Sequence, residues 1–133
     1  MGELLTENGK RVFEMRFLLH NPDGTPKETI KECFQRVATT VAKRGGTQNP
    51  DDVQVMSSIY YDMMNNLLFL PNSPTFTGAG TPLGQLAACF VLRIEDDMGK
   101  DSNQGIFTTL LSAALIQQSG GGVGFSFSNI RPR

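Results

Sequence analysis

The sequence predicts an α+β chain: a mainly helical region over residues 1–70, followed by an incomplete α/β unit over residues 71–133. Three observations carry this prediction. Apolar residues recur at helical spacing through 30–41 and again through 53–68. A stretch with three prolines and three glycines, residues 71–84, then interrupts the pattern. Beyond it, two short strand-like runs flank one more apolar helical run, which is the order of a parallel βαβ unit.

The elements follow in order. "RVFEMRFLLH" alternates apolar residues at Phe13, Met15, Phe17 and Leu19, the period of a strand. "NPDG" reads as a turn. "TPKE" reads as a helix start, with Thr25 as cap, Pro26 in the first turn and Glu28 completing a capping box. Ile30, Cys33, Phe34, Val37 and Val41 then share one helical face, and Gly45 and Gly46 end the helix. Asn49 and Pro50 open the next helix. It carries two apolar stripes, Val53/Met56/Tyr60/Met63/Leu67 and Val55/Ile59/Met64/Leu68, so burial between neighbours is expected. Pro71 closes it, and 71–84 reads as a loop.

"CFVLRI" is short, branched and apolar, the composition of a buried strand. "EDDMGKDSNQG" is polar and expected at the surface. Ile106, Phe107, Leu110, Leu111 and Ala114 mark a helix ending at "SGGG", and "VGFSFS" alternates as a last strand. A lone βαβ unit buries too little to stand alone, so the chain reads as the opening of a larger sheet or barrel. Exposed apolar surface is expected near Val91, Ile106 and Phe125, where further strands and helices would pack.

Composition excludes several functions. The 133 residues are 39% hydrophobic with a net charge of -1, and the sequence pI is about 5.8. Neither nucleic acid nor an anionic membrane face is indicated. No apolar run is long enough to span a bilayer, and Met1–Lys10 lacks the apolar segment of a secretory signal. Two distant cysteines make no disulfide framework, and one histidine with two cysteines makes no zinc site. A reducing, cytoplasmic setting is expected.

Several stretches admit a chemical reading beside a structural one. "SGGGVGF" is either a helix-ending turn or a loop that lets a ligand approach the backbone, with N–H groups for an anion. It fits neither a dinucleotide fingerprint nor a P-loop. "PNSPTFTGAGTP" is a surface loop or a substrate loop in which Ser73 donates to a phosphate or sugar. Cys89 is a packed thiol or a strand-end thiol facing a pocket, with Ala87 and Ala88 leaving room. Cys33, on the core face of a helix, reads as packing. The acids of "EDDM" are a solvated cluster or a site for a metal or ribose hydroxyls, the single His20 a surface residue or a ligand or base, and the methionines of 56–64 core or a cofactor contact, with the first reading favoured in each case.

Taken together, "LFLPNSPTFTGAG", "LGQLAACFVL", "EDDM" and "IFTTLLSAALIQQSGGGVGFSFSNIRPR" resemble, in this order, the large catalytic subunit of ribonucleotide reductases. The stretch "FLLHNPDGTPKETIKECFQRVATTVA" resembles most the adenosylcobalamin-dependent class II enzymes. No segment resembles their relatives' N-terminal ATP cone. The resemblance implies a helical N-terminal region followed by the first elements of a ten-stranded α/β barrel, whose first strand opens at the motif cysteine. It implies replacement of a ribose 2′-hydroxyl by hydrogen through a thiyl radical, with two further cysteines supplying electrons.

On this sequence, Cys89 then matches the first reducing cysteine. Ser73, Ala88, Cys89 and Gly122 match substrate-binding positions, and Asp96 the region that binds a nucleoside triphosphate effector. Implied partners are a ribonucleotide substrate, the remaining part of the reductase and a thioredoxin-like reductant, with adenosylcobalamin as cofactor. The radical cysteine, the second reducing cysteine and the C-terminal cysteine pair match nothing here, so the chain alone is expected to be inactive. The alternative is a non-catalytic module that binds nucleotide or a partner.

Overall fold

A computed structural model describes residues 4–46 and 49–132. The chain forms two units, Met1–Leu86 and Ala87–Arg133.

The first unit is helical. α1 (Glu7–Arg16) lies where the alternation of Phe13, Met15, Phe17 and Leu19 suggests a strand. The same residues also satisfy helical spacing, since Phe13 and Phe17 are four apart. Three local features favour the helix: Thr6 accepts the Gly9 amide as N-cap, Glu7 sits in the first turn and Arg16 in the last. Phe13 is buried, whereas Met15 is 64% exposed, so the strand face does not exist.

After α1 a short hairpin carries the expected turn. Gly24 adopts φ +84 and its amide bonds to the Asn21 carbonyl at 2.9 Å. Thr25 is consumed here, since its amide and hydroxyl both bond to Asp23. The capping box of α2 (Ile30–Arg44) therefore forms four residues later than expected, from Thr29 and Glu32. Glu28 is freed for another partner. α2 buries Cys33, Phe34, Val37, Ala38 and Ala42, as its periodicity requires, and ends at Gly45.

α3 (Pro50–Asn65) starts at the expected Asn49 cap and packs on α2. Ser57 enters this contact with its hydroxyl satisfied by Gln35 and Thr39. The expected burial on both sides does not occur: Met64 is buried, but Val55, Ile59 and Leu68 of the second stripe are exposed. Within the helical unit, α2 covers one flank and the other flank stays open.

The stretch read as a loop contains a short helix, α4 (Ser73–Gly78), capped by Asn72 with Pro74 in its first turn. Phe76 anchors it to an aromatic cluster, 4.9 Å from the Phe13 ring and near Phe17 and Phe34. Gly78 faces the Gln85 backbone so closely that a Cβ would overlap the Gln85 carbonyl. Only glycine fits at that crossing.

Glu28 and Arg36 form a buried ion pair, with side chains 9% and 14% exposed. Burial pushes the Glu28 carboxyl up, but the Arg36 hydrogen bonds, the Leu19 amide and the Arg36 charge outweigh it, leaving the group below its ordinary 4.5. A carboxylate lowered in this way stabilises the fold above its ordinary pKa and loses that contribution as pH falls through the folded value. Glu28→Gln is expected to destabilise the helical unit by about 3–5 kcal/mol at neutral pH by orphaning Arg36. The gap to wild type should close on acidification below about pH 4.5. Urea unfolding at a series of pH values measures this, and a gap independent of pH would refute it.

The second unit is a single βαβ element. β1 (Cys89–Glu95) pairs in parallel with β2 (Gly122–Asn129), and α5 (Ile106–Gln118) packs on both. The register runs from Cys89 opposite Gly122 to Arg93 opposite Ser126, and one extra residue in β2 then places Asn129 opposite Glu95. β1 is not the buried strand its composition suggests. Ile94 is buried, but Val91 is 81% exposed, as expected near a strand without neighbours, because within this unit the described residues form two strands and α5 packs on one face of them. Ile106 and Phe125 are also exposed, as expected, together with Phe107, Leu110, Leu111 and Phe127. Among the described residues no helix is long and apolar enough to cross a membrane.

Candidate functional site

Parallel pairing decides what meets at the opening of β1. Cys89 is the first residue of the strand and Gly122 its cross-strand partner. The Gly122 amide donates to the Ala88 carbonyl at 2.8 Å. A side chain on Gly122 would begin 3.7 Å from Cys89 Sγ. Ala88, Cys89 and Gly122 are thus brought together, and two of the three contribute almost no side-chain volume. The exposed thiol of Cys89 is bordered by small residues that leave room for a bulky reactant.

The glycine segment works differently from an anion nest. The amides of Gly120 and Gly121 donate to the Gln117 and Ile116 carbonyls at the end of α5, and that of Gly122 donates to Ala88. These N–H groups are engaged, so the segment cannot cradle a phosphate with them. Gly120, at φ +86, makes the helix-ending turn. Gly122 leaves space beside the thiol.

The acids after β1 have separate duties. Glu95 accepts from Asn129 at 2.8 Å and from Arg93 at 3.1 Å. Asp97 accepts the Gly99 amide and its carbonyl receives the Ile106 amide, which starts α5. Asp96 pairs with Arg131 at 2.7 Å. Neither Asn129 nor Arg131 is singled out by sequence reasoning; only the parallel register shows them to be neighbours of the acids. Cys89 opens β1 and Asp96 follows its last residue, so the two lie about 23 Å apart at the usual rise of a strand.

Ser73 belongs to the helical unit. It is the first residue of α4 and is exposed. Its loop is closed on itself, because Thr75 Oγ1 donates to the Leu86 carbonyl at 3.0 Å. In the same unit a cavity of about 450 Å³ is lined by Val37, Val41, Tyr60, Met63, Phe69 and Leu86 among others.

The two cysteines contrast sharply. Cys33 is fully buried, and burial pushes its thiol up to about 12 despite the nearby Arg36 guanidinium. Such a thiol stays neutral and inaccessible. Iodoacetamide is expected to alkylate the folded chain at Cys89 alone, with Cys33 reacting only after denaturation. Peptide mass spectrometry reads this directly, and equal labelling of both would contradict the assignment.

A capped helical unit that gives way at Leu86/Ala87 to the start of a parallel α/β layer, with a thiol on the opening strand, defines a class. The family model described as "Ribonucleotide reductase, all-alpha domain" matches residues 3–84, and "Ribonucleotide reductase, barrel domain" matches residues 87–133. The chain belongs to the ribonucleotide reductase large-subunit family. Among its relatives is the Vitamin B12-dependent ribonucleoside-diphosphate reductase of Mycobacterium tuberculosis (strain CDC 1551 / Oshkosh), 43% identical over 91% of this chain and 17% of that protein. The enzyme of the same description from Thermoplasma acidophilum is 31% identical over 97% of the chain and 23% of that protein. The Ribonucleoside-diphosphate reductase large subunit of Arabidopsis thaliana is 36% identical over 92% and 14%. The chain thus spans less than a quarter of the length of these curated relatives.

The apolar cavity of the helical unit does not fit a cobalamin. A corrin fringed with amide groups needs a broad cleft rich in donors and acceptors. The cavity of about 450 Å³ in the helical unit is lined almost wholly by apolar side chains.

Proposed function

We propose that this chain supplies the N-terminal part of a ribonucleoside-diphosphate reductase, with Cys89 as one of its two reducing thiols. The observation that carries the proposal is the cluster at the opening of β1, where Cys89 Sγ is exposed beside Ala88 and Gly122. A reducing thiol has to reach a ribose, and small neighbours on both strands permit that approach. The net step balances: the ribose 2′-hydroxyl leaves as water, hydrogen takes its place at C2′, and two thiols lose two electrons and become a disulfide. The second thiol must come within disulfide reach of Cys89, and Cys33, buried in the helical unit, is unsuited to that role.

In this reading Ser73 donates to the substrate, Ala88 and Gly122 line the ribose, and Asp96 serves the nucleoside triphosphate effector. The words "Vitamin B12-dependent" in the names of relatives support a cobalamin, which we take to be adenosylcobalamin and which residues other than these would hold. A thioredoxin-like protein would reduce the disulfide, which suits a reducing, cytoplasmic compartment.

The test is complementation. The chain, combined with the remainder of a matching vitamin B12-dependent reductase, is expected to restore deoxyribonucleotide formation, and neither part should be active alone. Absence of product, together with tight nucleotide binding by the isolated chain in isothermal titration, would overturn the proposal in favour of a non-catalytic binding module.

A further inference from the structure

Arg36 joins three parts of the helical unit. Its Nη2 and Nε hold the two oxygens of Glu28 at 2.6 and 2.9 Å. Its Nη1 donates to the carbonyl of Ala79, the fully buried residue that ends α4. Glu28 in turn accepts the Leu19 amide at 2.9 Å. Gly80, next along the chain, leaves only enough room for the Arg36 stem, since a Cβ there would come within 3.1 Å of Arg36 Cγ. Residues 72–86 are closed by the Thr75–Leu86 hydrogen bond and the Gly78–Gln85 crossing. The loop therefore sits on α2 as one body, with Arg36 at the junction.

A buried ion pair is a poor device for stability alone, because apolar side chains of similar volume commonly do as well. The guanidinium adds direction. Its planar fork is fixed by two bonds to Glu28, so its third donor holds the Ala79 carbonyl at a set distance and angle. We propose that Arg36, oriented by Glu28, is a positioning residue that sets where α4 presents Ser73 to the substrate. This inference rests on the reading of Ser73 as a substrate-binding hydroxyl.

The experiment uses the complemented reductase and compares Ser73→Ala, Arg36→Lys and the paired change Glu28→Gln with Arg36→Met. The paired change removes both charges together, so no orphaned ion threatens folding. Ser73→Ala and the paired change are each expected to raise KM for the ribonucleotide on the order of tenfold with kcat little altered, as for lost ground-state contacts. Arg36→Lys should fall between them and wild type. Adding Ser73→Ala to the paired change should raise KM no further, because both act through one contact. Hydrogen exchange on the chain itself should quicken at the Thr75, Ala79 and Thr81 amides and stay unchanged in α3. A KM raised by Ser73→Ala but not by the folded paired variant would overturn the positioning role and leave Ser73 standing. No effect of Ser73→Ala would remove the reading of Ser73 and the inference with it.

Discussion

A reductase assembled with Cys89→Ser is expected to form deoxyribonucleotide only at background level while binding nucleotide as wild type does. The substitution is nearly isosteric and falls on an exposed side chain at the start of β1, so stability should change by no more than about 0.5 kcal/mol. The local geometry should also survive, because the Gly122–Ala88 hydrogen bond is made by backbone. On the proposed role of Cys89, what is lost is chemistry: a serine hydroxyl cannot pair with a second thiol as a disulfide, so the electron pair that would reduce C2′ is missing. Product formation and nucleotide binding, measured side by side, separate this from misfolding. Full activity in the variant would sink the role given to Cys89.

The second large effect concerns the helical unit. Phe76→Ala is expected to destabilise it by about 3–5 kcal/mol, the usual cost of emptying a buried aromatic site. Phe76 is 2% exposed and packs on Phe13, Phe17 and Phe34. Its ring packs α4 against α1 and α2. Native domains have only about 5–15 kcal/mol in all, so the variant should melt far below wild type, by roughly 4–8 °C for each kcal/mol in a unit of this size. Val55→Ala, at an exposed position on α3, serves as the control and should shift the melting temperature little. Equal shifts for the two variants would refute the assignment of Phe76 to the core.

The helices α2 and α3 were legible because their signals are local. An Asn-Pro start, a Gly-Gly stop and a stripe at 3.6-residue spacing require no knowledge of neighbours. The first element was not legible. Phe13, Met15, Phe17 and Leu19 satisfy period 2, while Phe13 and Phe17 also satisfy helical spacing, and only the Thr6 cap and the aromatic cluster separate the two. The capping box of α2 was displaced because Thr25 has a stronger local claim in Asp23. Glu28, read as a cap, is instead half of an ion pair with a residue eight positions away. No periodicity reports such a pair.

Family membership was legible too, since it resides in ordered motifs. The arrangement of the candidate site was not. Whether the glycines bind with their amides or merely make room depended on where those amides donate. Three of them donate to carbonyls of the same unit. Likewise, the placement of Asp96 with Arg131 depends on a parallel register with one extra residue in β2.

By itself, the sequence determined helices α2 and α3, the order of β1, α5 and β2, and the motif that makes Cys89 a candidate redox thiol. These follow from caps, breakers and side-chain period, which act over a few residues. The tertiary structure alone decided that Cys89 is open beside Gly122, that Arg36 ties α2 to the loop of Ser73, and that Asp96 pairs with Arg131. The physical reason is that burial and partnership arise from contacts between residues distant along the chain.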